Sequence, residues 1–502
     1  MRQDTKNNKV LLVSTSVENV ITGSLNKYDR EGMKTDDSSG YPLGLLYLHS
    51  NLEKHGYETE TLFLNHNSRD YALEKIKENL DNFRPSIVGF QVLTQNRIST
   101  FSLIAFINEK YPDIKIVLGG IHATVMYEQI VNKFPYVTIV MGEGEITFID
   151  LIENLINSPK NLSNVNGIAY FDGTVKLTPP RPLIENLDEL PFPKHEIFLD
   201  SGIKCGIVLT ARGCPFSCSF CCLDNISRRR IRKRSIAKVM EEIEMMIEKF
   251  PHMTSLWIQD DTFFVDIPRV IEFCNEIIKR KIHLNIICSA RFKPISQELI
   301  DKIEEANFTK IFFGLESGDN EILKKCHKGI NQNDILAAFK MFKNKKVTVY
   351  AHLIVGLPGE TLESVKTTAK FVQKLLRIKY INYSNVYSLT VYPGTEVYEL
   401  AKEKKMINDD YWLSDNVTPI YTAEHTTKEL DYFKEFLIDS ISGIRALSTW
   451  SGFTKQFFIL PYHLRYFLSS RTNFKHLLYY FLKIRLSDNQ FKILKKIRSS
   501  LK

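Results

Sequence analysis

Leu209-Thr-Ala-Arg-Gly-Cys214-Pro-Phe-Ser-Cys218-Ser-Phe-Cys221 closes an apolar, β-branched run, Ile207-Val208-Leu209, and opens a tight cysteine-bearing loop. Three cysteines spaced Cys-x3-Cys-x2-Cys can aim three thiolates at three corners of a cubane iron–sulfur cluster. The fourth iron then has no protein ligand, and an open metal position is where a substrate or cosubstrate binds. Gly213 and Pro215 suit the sharp turn, and Phe220 is placed to shield a cluster from water. Structural zinc is the alternative, but it normally takes four ligands. Cys222 is adjacent to Cys221 and poorly placed to reach the same metal, and no nearby histidine completes a set. Inert thiols are the third reading.

Downstream of the loop the chain alternates strand-like and helix-like segments to about residue 392. Strands are expected at 206–210, 255–259, 284–289, 310–315, 347–354 and 382–389, and helices at 235–249, 268–280, 296–306, 331–344 and 362–378. Six such units predict a partial (β/α)6 barrel rather than a closed eight-fold one, with its chemistry at the carboxyl ends of the strands. Those ends are polar: Gln259-Asp260-Asp261-Thr262, Ser289-Ala290-Arg291, Gly314-Leu-Glu316-Ser317-Gly318, Gly356-Leu-Pro358-Gly359-Glu360 and Tyr392-Pro393-Gly394-Thr395. A zwitterionic ligand with hydroxyl groups needs carboxylates for its amino group and hydroxyls, a cation for its carboxylate and glycines for close approach. All are present in one ring.

Upstream, residues 10–150 read as a doubly wound parallel sheet. Strands are expected at Val10–Val13, Thr59–Leu64, Ile87–Gln91, Ile114–Leu118 and Val137–Met141, with helices near 43–55, 70–82, 97–111, 125–133 and 146–156. Ligands of such sheets bind outside the carboxyl ends of the strands. There the chain places Thr94, Gly119-Gly120-Ile121-His122 and Gly142-Glu143-Gly144-Glu145, whose glycines let backbone approach a bulky ligand. Between the halves, Asp172-Gly173 marks a β-hairpin turn, and five prolines from 179 to 193 keep the chain extended.

The Cys-x3-Cys-x2-Cys loop, with an aromatic before its last cysteine, resembles the signature of radical S-adenosylmethionine (radical SAM) enzymes. Tyr41-Pro-Leu-Gly-Leu-Leu-Tyr-Leu, Gly119-Gly-Ile-His-Ala and Gly142-Glu-Gly-Glu together resemble the cobalamin-binding domain that precedes many radical SAM cores. The resemblance covers roughly residues 10–395 and is to the cobalamin-dependent radical SAM enzymes, which include methyltransferases, hopanoid methylases and the anaerobic porphyrin cyclase. It implies that Cys214, Cys218 and Cys221 hold a [4Fe–4S] cluster whose free iron chelates SAM. It places Asp260 or Asp261 at the SAM amino group, Ser289 and Arg291 near its carboxylate, Glu316 near the ribose or amine, and Gly356 and Gly359 beside the adenine. Thr94, Gly119, Gly120, His122, Gly142, Glu143 and Gly144 are the implied cobalamin contacts.

One departure matters. The Asp-x-His-x-x-Gly motif that supplies a cobalt ligand in mutases is absent, and Asn65-His66-Asn67 is in the wrong place for it. No histidine is therefore expected on the lower face of cobalt, although His122 could approach the corrin; a loop histidine bonded to backbone is the alternative. The implied fold is α/β: a Rossmann-like cobalamin-binding domain (8–156), a connector with a β-hairpin (157–200), a radical SAM barrel (201–395) and a mainly helical C-terminal region (396–502). The implied reaction is methylation of an unactivated carbon by way of a 5′-deoxyadenosyl radical and methylcobalamin. Cyclisation or rearrangement is the alternative, and a degenerate cobalamin sensor a third. A flavodoxin- or ferredoxin-type reductant is implied. Methylthiolation is not, because those relatives carry a second cluster on N-terminal cysteines, and the first 204 residues here hold none.

Charge and composition bound the rest. All eight cysteines lie within 205–326, which is not a disulfide framework and fits a reducing cytoplasm. The polar start predicts no signal peptide, and no run of about 18 apolar residues predicts a spanning helix. The formal charge is +8, yet residues 451–502 alone carry seven Lys and four Arg against Asp488. The basic character belongs to this aromatic tail, which suits an anionic membrane surface or a small helical cap. Arg228-Arg-Arg-Ile-Arg-Lys-Arg234 is expected as a solvated face, with an anionic ligand as the alternative. The slightly negative body argues against nucleic acid. The expected partner is a small molecule, apolar or lipid-like, or a peptide or natural-product intermediate.

Overall fold

The alternation of apolar residues along the first strand already implies helices on both faces of its sheet. In the computed structural model, Leu11 and Val13 of β1 (Lys9–Ser14) enter one core cluster while Val10 and Leu12 enter another. The structure describes residues 8–17, 41–65, 67–157, 161–200, 202–379, 381–382 and 386–447. His66 and the basic aromatic tail 451–502, with its expected membrane contact, lie outside them. Both sheets lie within one unit, Met1–Leu437, and Ile438–Lys502 form a second.

The first sheet adds β2 (Glu58–Phe63), β3 (Ile87–Gln91), β4 (Lys115–Gly119) and β5 (Val137–Val140), all parallel, in the order β2-β1-β3-β4-β5. The chain direction therefore switches between β1 and β3, the position where doubly wound sheets open a crevice. The predicted hairpin, β6 (Ile168–Asp172) and β7 (Thr174–Leu177), joins this sheet by pairing antiparallel with β5. Helices Leu43–Lys54 and Glu145–Asn157 cover one face, and Arg69–Phe83, Arg97–Lys110 and Tyr127–Lys133 the other. The core cluster of Leu11 and Val13 also takes Val391, Tyr398, Trp412 and Tyr421, so chain beyond the barrel packs on the first sheet.

After β8 (Cys205–Val208) a short ladder forms from β9 (Ala211–Arg212) and β10 (Arg232–Lys233). The parallel sheet then continues with β11 (Ser255–Ile258), β12 (Asn285–Ala290), β13 (Phe308–Glu316) and β14 (Thr348–Val355). Its last position is filled by β15 (Ile381–Asn382) and β16 (Val386–Ser388), both paired with β14. Among the described residues no strand joins β8 to that edge, so the barrel is open, as six units predict. The crossover helices start where the sequence caps them: Ser235 accepts from Lys238 N, Asp266 from Arg269 N with Pro268 in the first turn, and Ser296 from Leu299 N.

The two sheets meet at a polar junction that sequence reasoning missed. Ile207 N donates to Tyr41 Oη at 2.9 Å, so the tyrosine proton goes to His195 Nδ1 at 3.0 Å. His195 then carries its proton on Nε2 and donates to Glu242 at 2.8 Å, and Glu242 pairs with Arg234 at 2.5 Å. Both His195 and Glu242 are fully buried.

Candidate active site

The cysteine loop is held from below by Asp260. Its Oδ1 accepts from Thr210 N at 2.7 Å and Ala211 N at 3.1 Å, and its Oδ2 from Thr210 Oγ1 at 2.5 Å. Burial pushes this carboxyl up to about 6 against those hydrogen bonds. Asp261, the next residue, turns the other way: it takes one bond, from Gly213 N at 3.0 Å, and otherwise faces the cleft. Asp260 is thus committed to the strand end, and of the expected pair only Asp261 is free to meet a ligand's ammonium.

Gly213 has φ +95°, and an added Cβ would run into the Arg230 carbonyl oxygen. Further along, Ser219 N donates to Cys326 O and Val397 N to Ser219 O, fixing the loop to two distant segments. Cys214 and Cys218 are half-buried and Cys221 is exposed. Among the described residues no three His, Cys, Asp or Glu side chains converge on a single metal ion. The loop's surroundings suit an anionic thiolate cluster. Arg291 Nη1 donates to Cys218 Sγ at 3.5 Å, and its guanidinium lies 3.7 Å from the Phe216 ring centroid. Arg291 also donates to Lys328 O, and its buried Nε has no protein partner.

Glu316 sits at φ +59° where β13 slips register against β14, and its carboxylate pairs with Lys328 at 2.7 Å, both nearly buried. Gly314 makes room for this pair, since a Cβ there would strike Glu316 and Lys328. Lys328 also lies 5.9 Å from the Phe220 ring. Nothing in Cys326-His-Lys328-Gly marks it in sequence. Ser289 is half-buried at the end of β12. Gly356 and Gly359 have positive φ, but their open faces meet Leu430 at 2.9 Å and the Lys325 side chain.

Across from the loop lies a cavity of about 310 Å³. Its first wall is the strand ends of the first sheet: Gln91, Gly119, Gly120 and Gly142–Glu145. Its second is Leu209, Arg212, Gly213 and Asp261 of the cysteine loop and its support. It runs down between sheet and helices, past Leu12, Gly44, Leu48, Gly89 and Phe148. A Cβ on Gly89 would stand 3.1 Å from both Leu12 and Phe148, so this mid-strand glycine keeps the cradle open. Glycine inside a strand is a signal of close approach readable from sequence.

Two residues expected at cobalamin do not line this cavity. His122 is fully buried behind the cavity wall, with its ring 5.8 Å from Trp412 and Nδ1 bonded to Thr94 Oγ1 at 3.1 Å. Burial pushes it down to about 3, so it is neutral. Thr94 is buried with it, and its carbonyl accepts from Arg97 at 2.9 Å. Neither lines the cavity, because the helix that starts after Gly120 turns the histidine into the core. Glu143 does line it, but its carboxylate is taken by Arg212 at 3.1 Å, Arg232 at 2.6 Å and Ile184 N at 3.0 Å. Burial works against that carboxylate, yet the Arg232 and Arg212 interactions win and hold it below the usual range.

The Arg228–Arg234 run is not a free basic face. Arg229 pairs with Asp224, Arg230 with Glu185 and Lys233 with Asp266, while Arg232 and Arg234 are buried on Glu143 and Glu242.

A cysteine loop at the end of a parallel open barrel defines the class, and residues 208–372 match the radical SAM superfamily model. Residues 33–152 match the B12 binding domain model, and the two together span more than half of the chain. The protein belongs to the B12-binding radical SAM enzyme family. It is 29% identical over 400 residues to an uncharacterized methyltransferase of Pyrococcus horikoshii, covering 78% of this chain and 85% of that one. It is 29% identical over 395 residues to the anaerobic magnesium-protoporphyrin IX monomethyl ester cyclase of Rubrivivax gelatinosus, covering 76% and 69%. Among solved structures, the cobalamin-dependent radical enzyme OxsB, with aqua-cobalamin and S-adenosylmethionine bound, shares the fold at TM-score 0.70 and 20% identity, over 95% of this chain and 75% of that one. No helix of the described residues is long and apolar enough to cross a membrane.

Proposed function

We propose that this enzyme methylates an unactivated carbon of a small molecule, with a [4Fe–4S] cluster, SAM and cobalamin as its cofactors. The observation that carries the reading is the single cavity walled on one side by the glycine-rich strand ends and on the other by the cysteine loop. Cobalamin and the cluster, when bound, supply methyl transfer and one-electron cleavage of SAM respectively. The protein's own groups hold and orient. Cys214, Cys218 and Cys221 are the cluster ligands. Asp261 takes the SAM amino group, and Arg291 with Lys328 supplies positive charge beside the cluster and for the SAM carboxylate. Glu316 keeps Lys328 in place and is the carboxylate within reach of the ribose. Gly89, Gly119, Gly120, Gly142 and Gly144 give cobalamin its close approach to backbone. Likeness to a methyltransferase favours methyl transfer, and equal identity to a cyclase keeps ring closure as the second reading. A flavodoxin- or ferredoxin-type reductant fits either.

The test is anaerobic reconstitution with iron, sulfide and hydroxocobalamin, then reduction with methyl-labelled SAM. Bound cobalamin, 5′-deoxyadenosine and label on cobalt together support methyl transfer. Bound cobalamin with deoxyadenosine but no label on cobalt transfers the lead to cyclisation. Neither cobalamin nor deoxyadenosine would sink the whole reading.

A further inference from the structure

The wall between the two cofactor sites is a chain of four buried charges. Glu145 pairs with Arg212 at 2.7 Å, Arg212 with Glu143 at 3.1 Å, and Glu143 with Arg232 at 2.6 Å. The four side chains are only 6%, 15%, 9% and 4% exposed in that order. Arg212 and Arg232 sit directly opposite each other in the β9–β10 ladder, a like-charge pair that is unfavourable unless an anion stands between. Glu143 is that anion, with one oxygen to each arginine. The Arg212 guanidinium also lies over the Tyr47 ring, 4.8 Å from its centroid.

The place of the chain in the fold matters more than its strength. Arg212 stands two residues before Cys214, and the two glutamates flank Gly144 in the cavity wall. Tyr47 belongs to the helix that covers the same sheet. A buried ion-pair network is often no more stabilising than apolar packing of equal volume. What two carboxylates on one planar guanidinium do provide is a fixed angle as well as a fixed distance. We propose that Arg212 is a positioning residue: through Glu143 and Glu145 it sets the distance and tilt between the glycine-rich loop that cradles cobalamin and the loop that carries the cluster. This rests on the cofactor assignment above.

The two sites can be read as a pair of spins, independently of turnover. Holoenzyme is prepared with cobalamin as cob(II)alamin and the cluster reduced, and the dipolar coupling between them is measured by pulsed electron paramagnetic resonance. Wild type should give one narrow distance distribution. Glu145→Gln, which removes one carboxylate and leaves Glu143 bridging, should broaden and shift it. Arg212→Lys, which keeps the charge and loses the fork, should do so further. Both should retain iron content, cobalamin stoichiometry and a cooperative melt. A misplacement of about 1 Å costs on the order of a hundredfold in rate, so product formed per deoxyadenosine should fall with the shift. Two variants with the wild-type distribution overturn the proposal while leaving the cofactor assignment intact. A wild-type protein that takes up iron but no cobalamin overturns both.

Discussion

Gly213→Ala tests whether the loop that carries the cysteines depends on one backbone conformation. Alanine at φ +95° is in the left-handed region, at a cost of about 1–2 kcal/mol. The added methyl would also meet the Arg230 carbonyl oxygen, with Ser227 Cβ 3.0 Å away. Neither yields easily, because Arg230 N is bonded to Ser227 O at 3.0 Å and Ser227 N to Leu223 O at 2.9 Å. Forcing a methyl into filled space costs a further ~1–3 kcal/mol, which brings the total to about 2–5 kcal/mol. Gly173, in the hairpin turn, isolates the two terms: its φ is +67° but nothing lies within 4 Å of an added Cβ. Denaturant unfolding and iron per chain after anaerobic reconstitution are the assays. Gly173→Ala should lose about 1–2 kcal/mol and keep its iron. Gly213→Ala should lose more and bind substoichiometric iron, since Cys214 is the next residue. Equal stability and equal iron in the two variants would refute the reasoning.

Two further outcomes follow from buried groups. The Asp260 carboxyl is raised by burial, so its contribution to stability is full below the ordinary aspartate value and is lost as pH rises through about 6. Asp260→Asn removes that dependence. The stability of wild type relative to the variant should fall by on the order of 3 kcal/mol from pH 4 to pH 7, and a flat difference in denaturant melts would contradict it. His122→Ala should cost about 2–4 kcal/mol through the cavity left beside Trp412, yet leave the visible spectrum of bound cobalamin unchanged. A spectral change without loss of stability would instead place the histidine beside the corrin.

The local patterns were legible without coordinates. The strand and helix periods placed both sheets to within about two residues, a margin usual for element ends. The spacing of Cys214, Cys218 and Cys221 is a property of the loop itself, so it could be read directly. The glycine clusters at 119–120 and 142–144 announced a backbone approached by something large, and they do line the cavity. Gly89 carried the same signal in weaker form.

What stayed hidden is which way each polar side chain turns and what it meets across the fold. Asp260 and Asp261 are neighbours in sequence just past the end of β11, yet one is sealed under the strand end by Thr210 and Ala211 and the other faces the cleft. The Arg228–Arg234 run reads in sequence as one charged surface and is divided among partners from five segments of chain. His122 has Trp412 as its neighbour and Glu143 has Arg212, separations that no local pattern encodes. The sequence by itself determined the elements and the cluster loop, since these follow from backbone propensity and short-range spacing, and its motifs carried the family resemblance that implied the class of chemistry. Only the tertiary structure decided which acids and bases are free for ligands and which hold the two sites together, because a buried charge is fixed by whatever opposite charge folding brings beside it.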